Sequence, residues 1–163
     1  MEALVVYYSN TGTTVKLAER IAENLSADKE RIICTKNYRG FLGYLRAGYD
    51  SFRGNLPQIA TVHHQAVDYD LVVVGAPIWA GQAAPPIRTY LRDNRNQFNR
   101  IALFTTAGGS APPDAPDAFA EMAKCAGQAS VAELSVSMQA VRDEGYAADL
   151  THFIEHLSFK QAA

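Results

Sequence analysis

Short apolar runs alternate with amphipathic stretches along the whole chain. Leu4-Val5-Val6-Tyr7-Tyr8 is continuously apolar, the pattern of a strand buried on both faces. From Thr13 to Leu25 apolar residues recur at Val15, Ala18, Ile21, Ala22 and Leu25, which is one stripe of a helix. Arg31-Ile32-Ile33-Cys34-Thr35 reads as a second strand and Leu71-Val72-Val73-Val74-Gly75 as the clearest buried one. Between them, 37–64 is irregular and rich in glycine and aromatics, with a short helix expected over Phe41–Phe52. Pro86–Leu91 opens a helix, proline suiting the first turn, and Ile101–Thr105 is a fourth strand. A helix follows over Ala115–Ala126, with Asp114 as N-cap and Gly127 as stop. Val131–Met138 alternates like a strand, and a last helix is expected over Asp143–Leu157.

This βαβα alternation predicts an α/β fold, a doubly wound five-stranded parallel sheet with helices on both faces. No composition break or linker divides the chain, so a single domain is expected over 1–163. Ligands in such sheets bind beyond the carboxyl ends of the strands, where the strand order reverses. Attention therefore falls on the turns after the first, third and fourth strands.

Charge narrows the classes. Fifteen basic against seventeen acidic residues give a net charge of -2, without the basic excess that nucleic-acid binding requires. Cys34 and Cys125 have neither metal-site nor redox spacing, so no metal site is expected. The start lacks the basic region of a signal peptide, and no apolar run nears the ~20 residues of a membrane span. The expectation is a cytoplasmic chain without a membrane segment.

The first turn reads Ser9-Asn10-Thr11-Gly12-Thr13-Thr14, four hydroxyls in six positions, with Asn10 and Gly12 tolerant of unusual backbone angles. Free N–H groups at the following helix start, together with those hydroxyls, would make an anion pocket suited to a phosphate, the alternative being a helix N-cap with surplus Ser and Thr. No lysine follows the glycine, and there is no G-x-G-x-x-G, so neither a nucleoside-triphosphate loop nor a dinucleotide fingerprint is present. Tyr8-Ser9-Asn10-Thr11-Gly12-Thr13-Thr14 resembles the FMN-phosphate loop of the flavodoxin family, T/S-x-T-G-x-T after the first strand. The strand–helix order is similar over the whole chain. The resemblance implies a flavodoxin-like sheet of order 2-1-3-4-5 with FMN at the switch point; flavodoxin is itself the standard example of that order. The stretch 128–145 is only 18 residues long and already holds the fifth strand, so the chain looks like a short-chain form.

After the third strand comes Pro77-Ile78-Trp79-Ala80-Gly81, with the only tryptophan. An indole there offers an apolar face for the flavin ring, the role its position in flavodoxin-like proteins implies. After the fourth strand comes Thr106-Ala107-Gly108-Gly109, whose glycines let backbone approach a flat ligand closely. By resemblance this turn holds the pyrimidine end of the ring. Its Ala-Gly-Gly-Ser run is closer to flavodoxin-like quinone reductases than to small carriers, which usually have a Gly-Asp and a Tyr in this turn.

Three further features carry weaker signals. The stretch Tyr38–Arg46 is aromatic, basic and glycine-rich, expected as a packed second helix, with a flavin cap or partner surface as the other readings. His63 and His64 read as solvated, and Arg88, Arg92, Arg95 and Arg100 as a basic stripe beside the tryptophan loop. The expected function is low-potential electron transfer by bound FMN with a redox partner protein, a flavodoxin reductase or an acceptor. The alternative is an FMN-dependent oxidoreductase acting on NAD(P)H and a quinone. No residue is assigned a catalytic role, since electron transfer needs no general base.

Overall fold

Apolar residues that alternate along a buried strand face opposite sides of the sheet, and here they build two separate cores. In the computed structural model, which describes residues 1–108 and 116–159, β1 (Ala3–Tyr7) leads through α1 (Thr13–Leu25) to β2 (Asp28–Arg31). Then come α2 (Gly40–Arg53), β3 (Leu71–Trp79), β4 (Gln82–Ala83), α3 (Pro85–Asp93) and β5 (Ile101–Ala107). The chain continues with α4 (Pro116–Ala126), β6 (Glu133–Ser137), α5 (Met138–Asp143) and α6 (Ala147–Phe159). The five parallel strands lie in the order β2-β1-β3-β5-β6, which is 2-1-3-4-5 when the parallel strands alone are counted. Two-residue β4 is an addition to the expected five, pairing antiparallel with the end of β3.

Leu4, Val6, Val72, Val74 and Leu103 face one core, closed by Ile87 and Leu91 of α3 and Met122 of α4. Val5, Val73, Ala102 and Phe104 face the other, against Leu17 and Ile21 of α1, Val141 of α5 and Phe153 of α6. Gly75 is the one position in β3 where a side chain has no room. A Cβ there would overlap the ring of Phe104, its register partner on β5.

Two elements differ from expectation. The second strand is the wholly charged Asp28–Arg31 rather than the apolar 31–35. As an edge strand it needs one partner only, and charge is tolerated there because it also deters pairing with other chains. Its one buried residue, Glu30, accepts the backbone N–H groups of His63 (2.8 Å) and His64 (3.0 Å). The His63 ring is exposed, whereas His64 Nδ1 meets the Tyr69 hydroxyl at 2.5 Å. The last helix, expected over Asp143–Leu157, is α6 and starts only at Ala147; the short α5 before it was not expected, and Glu144, left-handed at φ 56°, ends α5. Asp114 and the start expected at Ala115 lie outside the described residues, while Gly127 (φ 80°) follows α4 as expected.

Candidate functional site

At the carboxyl ends of β1, β3 and β5 a cavity of about 710 Å³ opens. Its first wall is the β1–α1 loop. Ser9 Oγ accepts the Gly12 N–H (3.1 Å), and Gly12, left-handed at φ 96°, swings the chain into α1. Asn10 does not take a positive φ. No side chain caps α1, so its first-turn N–H groups remain available, with the hydroxyls of Thr11, Thr13 and Thr14 beside them. The buried Thr14 Oγ1 lies 2.8 Å from Thr106 Oγ1, tying this loop to the end of β5. Asn10 Nδ2 donates to the Tyr38 carbonyl (3.1 Å), tying it also to the segment before α2.

The second wall is the β3–β4 hairpin. Ala80 (φ 51°) and Gly81 (φ 79°) are its two central residues, and positive φ at both is what a type I′ turn demands. Pro77, Ile78, Trp79 and Ala80 line the cavity. The half-buried indole of Trp79 is braced edge-on by Tyr8 (5.7 Å, 85°) and Tyr38 (5.2 Å, 62°), geometries aromatic rings prefer. Thr106, Ala107 and Gly108 supply the third wall; Gly109 lies outside the described residues.

Eleven of the fifteen residues singled out from sequence thus line one cavity. Ser9, Gly12 and Gly81 do not line it but shape its loops. The fourth wall was not assigned to the site. It comes from α2 and its approach, through Tyr38, Gly40, Leu45, Ala47, Gly48 and Tyr49, with Met138 at the start of α5. Met138 had a usable signal, since it follows the carboxyl end of β6. The aromatic, glycine-rich run of 38–46 does lead into the expected second helix, α2, and its Tyr38, Gly40 and Leu45 line the cavity.

Asp50 fixes this fourth wall. Its buried carboxylate accepts from the Tyr38 hydroxyl (2.9 Å), Lys36 Nζ (2.9 Å) and Asn55 Nδ2 (2.8 Å). Burial works against its ionisation, but the bonds from Asn55, Lys36 and Tyr38 prevail and hold its pKa below the ordinary 3.8. Burial and then the Asp50 bond push the Tyr38 phenol well above the usual tyrosine range, and burial pushes Tyr8 up to about 12. Both hydroxyls therefore stay protonated at neutral pH. No Lys, Arg, His, Asp or Glu is among the described residues lining the cavity.

The expected arginine stripe does not exist. Arg88 is buried, giving Nη1 to Gln82 (2.6 Å) and to Glu121 (2.9 Å), so it secures the hairpin from behind. Arg92 pairs with Asp93, Arg95 donates to the Lys124 carbonyl at the end of α4, and Arg100 Nη2 donates to the Leu157 carbonyl. Among the described residues no three His, Cys, Asp or Glu side chains converge as a metal site, and no helix is long and apolar enough to cross a membrane.

Known structures share this fold. A flavoprotein in complex with FMN from Lactobacillus acidophilus NCFM is 23% identical and covers 88% of this chain and 97% of its own, at TM-score 0.68. A protein from Bacteroides uniformis ATCC 8492 is 22% identical over 87% of this chain and 96% of its own, at TM-score 0.70. A short-chain flavodoxin associated with a bacterial microcompartment is 16% identical and covers both chains completely, at TM-score 0.58. No curated protein matches the chain. The sequence model of the flavodoxin family matches residues 2–125, which include the first and second walls of the cavity and Thr106–Gly108 of the third, and the chain belongs to that family.

Proposed function

We propose that this chain binds FMN in the cavity at the ends of β1, β3 and β5 and carries electrons at low potential. The observation that carries the reading is the division of that cavity into two kinds of surface. One end has the uncapped start of α1 and the hydroxyls of Thr11, Thr13 and Thr14, a donor set for a phosphate. The remainder is mostly apolar, with Ile78, Trp79, Leu45 and Met138, and the cavity's volume of about 710 Å³ suits a bound cofactor. Bound FMN supplies the redox chemistry through its ring system, and the protein supplies binding, orientation and electrostatics.

In this reading Ser9 and Gly12 hold the loop open around the phosphate, and Asn10 joins it to Tyr38. Pro77, Ile78 and Trp79 border the ring on one side, Thr106, Ala107 and Gly108 on another, and Ala80 and Gly81 set the hairpin's position. Added negative charge on the ring meets no cation among the described lining residues, and a low-dielectric wall penalises it further. That supports a low potential.

The test begins with titration of the purified chain with FMN, followed by fluorescence quenching. Thr13→Glu puts a carboxylate against the phosphate and weakens binding by about 100-fold, at about 1.4 kcal/mol per factor of ten, while circular dichroism stays unchanged. Unaltered affinity would place the phosphate elsewhere and sink the reading. Mixing the FMN-loaded protein with NADPH or NADH then separates carrier from enzyme, since a carrier leaves the flavin oxidised and direct bleaching establishes the oxidoreductase.

A further inference from the structure

The helix α2 is turned inside out. Its buried face is narrow and carries Gly43, Ala47 and Asp50, whereas its outward face carries Phe41, Leu42, Leu45, Tyr49 and Phe52, between 52% and 80% exposed. Five of the eight exposed large hydrophobic residues among the described ones lie on this single helix. Leu42, Leu45, Tyr49 and Phe52 are spaced 3, 4 and 3 apart, a continuous seam about 15 Å long, the spacing by which a helix anchors in a partner's groove. Apolar patches of this kind on a soluble chain mark interaction sites.

The charge beside the seam identifies the occupant. Between residues 31 and 67 the basic residues are Arg31, Lys36, Arg39, Arg46 and Arg53, and the one carboxylate is Asp50. Asp50 is buried and paired with Lys36, so it contributes nothing to the outer surface. Arg46 and Arg53 are seven apart and share one edge of the seam, and Arg53 also lies 5.7 Å from the centre of the Tyr49 ring. The opposite edge, at Gly48, opens on the cavity. We infer that the outward face of α2 docks an acidic redox protein, one with an apolar groove edged by carboxylates, at the mouth of the cofactor cavity.

Other occupants fit less well. A second copy of this face brings the same arginines and no exposed carboxylate from 31–67 to pair with them. A bilayer favours cations on both flanks of an interfacial helix, whereas this seam has arginines along one edge and the chain's net charge is -2. The polarity is also informative, because the chain's own surface supplies the positive side of the contact. Leu45 and Tyr49 belong both to the seam and to the cavity lining, so a partner seated there covers the route to the ring.

The inference rests on FMN binding, and the experiment separates the two. FMN-loaded protein, reduced with dithionite in stoichiometric amount, is mixed with an acidic haem protein of the cytochrome b5 type or with basic cytochrome c. Each haem takes one electron, ferric to ferrous, so two haems are reduced per two-electron-reduced FMN. Affinity for each haem protein is measured independently by calorimetry. Expected is tighter binding and faster reduction of the acidic acceptor, weakening with salt, and a loss of about tenfold or more in R46E/R53E. L42S/F52S weakens the same binding without altering FMN affinity or the flavin spectrum, since neither residue lines the cavity. Failure to bind FMN refutes the function, whereas FMN binding with a preference for the basic acceptor overturns the docking inference alone. Pelleting with phosphatidylserine vesicles, or a dimer in sedimentation, either of them abolished by L42S/F52S, also overturns it.

Discussion

The strand-end wall and the α2 wall enclose one cavity but are held in place by different physics. The strand ends continue buried parallel strands, so Pro77 and Thr106 are register partners within the sheet. Moving them means breaking the ladder. The α2 wall has no ladder; it rests on small residues and on the hydrogen bonds gathered at Asp50. Rigidity at a site is thus inherited from the sheet, whereas the helix side is positioned by a few polar contacts and opens at lower cost.

Two glycines, one behind each wall, offer the sharpest contrast. At Gly75 a Cβ would overlap the ring of the fully buried Phe104, and at Gly43 it would overlap the backbone of Tyr38. Gly75→Ala is expected to lower global stability by about 3 kcal/mol, read from urea unfolding, because overpacking there strains both β3 and β5. Gly43→Ala makes a clash of similar severity but gains about 1 kcal/mol of helix propensity, and α2 can shift away from Tyr38. Its global cost should stay below about 1 kcal/mol, with the damage appearing as weaker FMN binding. Equal losses from the two variants would mean that α2 belongs to the same cooperative unit as the sheet.

Asp50 gives the next effect in size. Asp50→Ala leaves the buried Tyr38 hydroxyl without its acceptor, at about 2 kcal/mol, so α2 amides exchange about 30 times faster while those of β1 and β3 change little. The same group predicts a pH response. Its folded pKa lies below the ordinary 3.8, so its stabilisation is complete above that value and fades as pH falls through the folded one. Acidification below about pH 4 should therefore loosen α2 ahead of the sheet. Asp50→Asn removes that step; α2 protection that still drops over the same range in the variant would assign the response to another carboxylate.

The same contrast decides how much was legible in the sequence. Strands buried on both faces are written as apolar runs, so Leu4–Tyr8, Leu71–Gly75 and Ile101–Thr105 marked β1, β3 and β5 and hence three of the four cavity walls. β2 was misplaced by three residues at its start and four at its end because an edge strand need not be apolar, and Asp28–Arg31 carries no hydrophobic signal. The α2 wall stayed ambiguous for the opposite reason. Its apolar face points outward and its inner face is Gly43, Ala47 and Asp50, which reverses the usual rule for a surface helix. The arginines of 88–100 misled because sequence spacing does not reveal that Arg88 is buried against a partner such as Glu121, which lies on another helix.

The smallest effect tests whether the strand-end wall is rigid up to its tip. Ala80 is held left-handed at φ 51° in the hairpin, a conformation that costs a non-glycine residue about 1–2 kcal/mol. Ala80→Gly relieves that cost but gives the unfolded chain more freedom, worth about 0.5–1 kcal/mol in the other direction. The two nearly cancel, and the unfolding midpoint should rise by no more than about 1 kcal/mol in equivalent stability. If the hairpin is rigid, FMN affinity follows stability and barely changes. If affinity falls although stability does not, the hairpin needs Ala80 to preorganise it. In that case its order comes from local backbone preference rather than from the ladder of β3, and the tip of this wall behaves like α2.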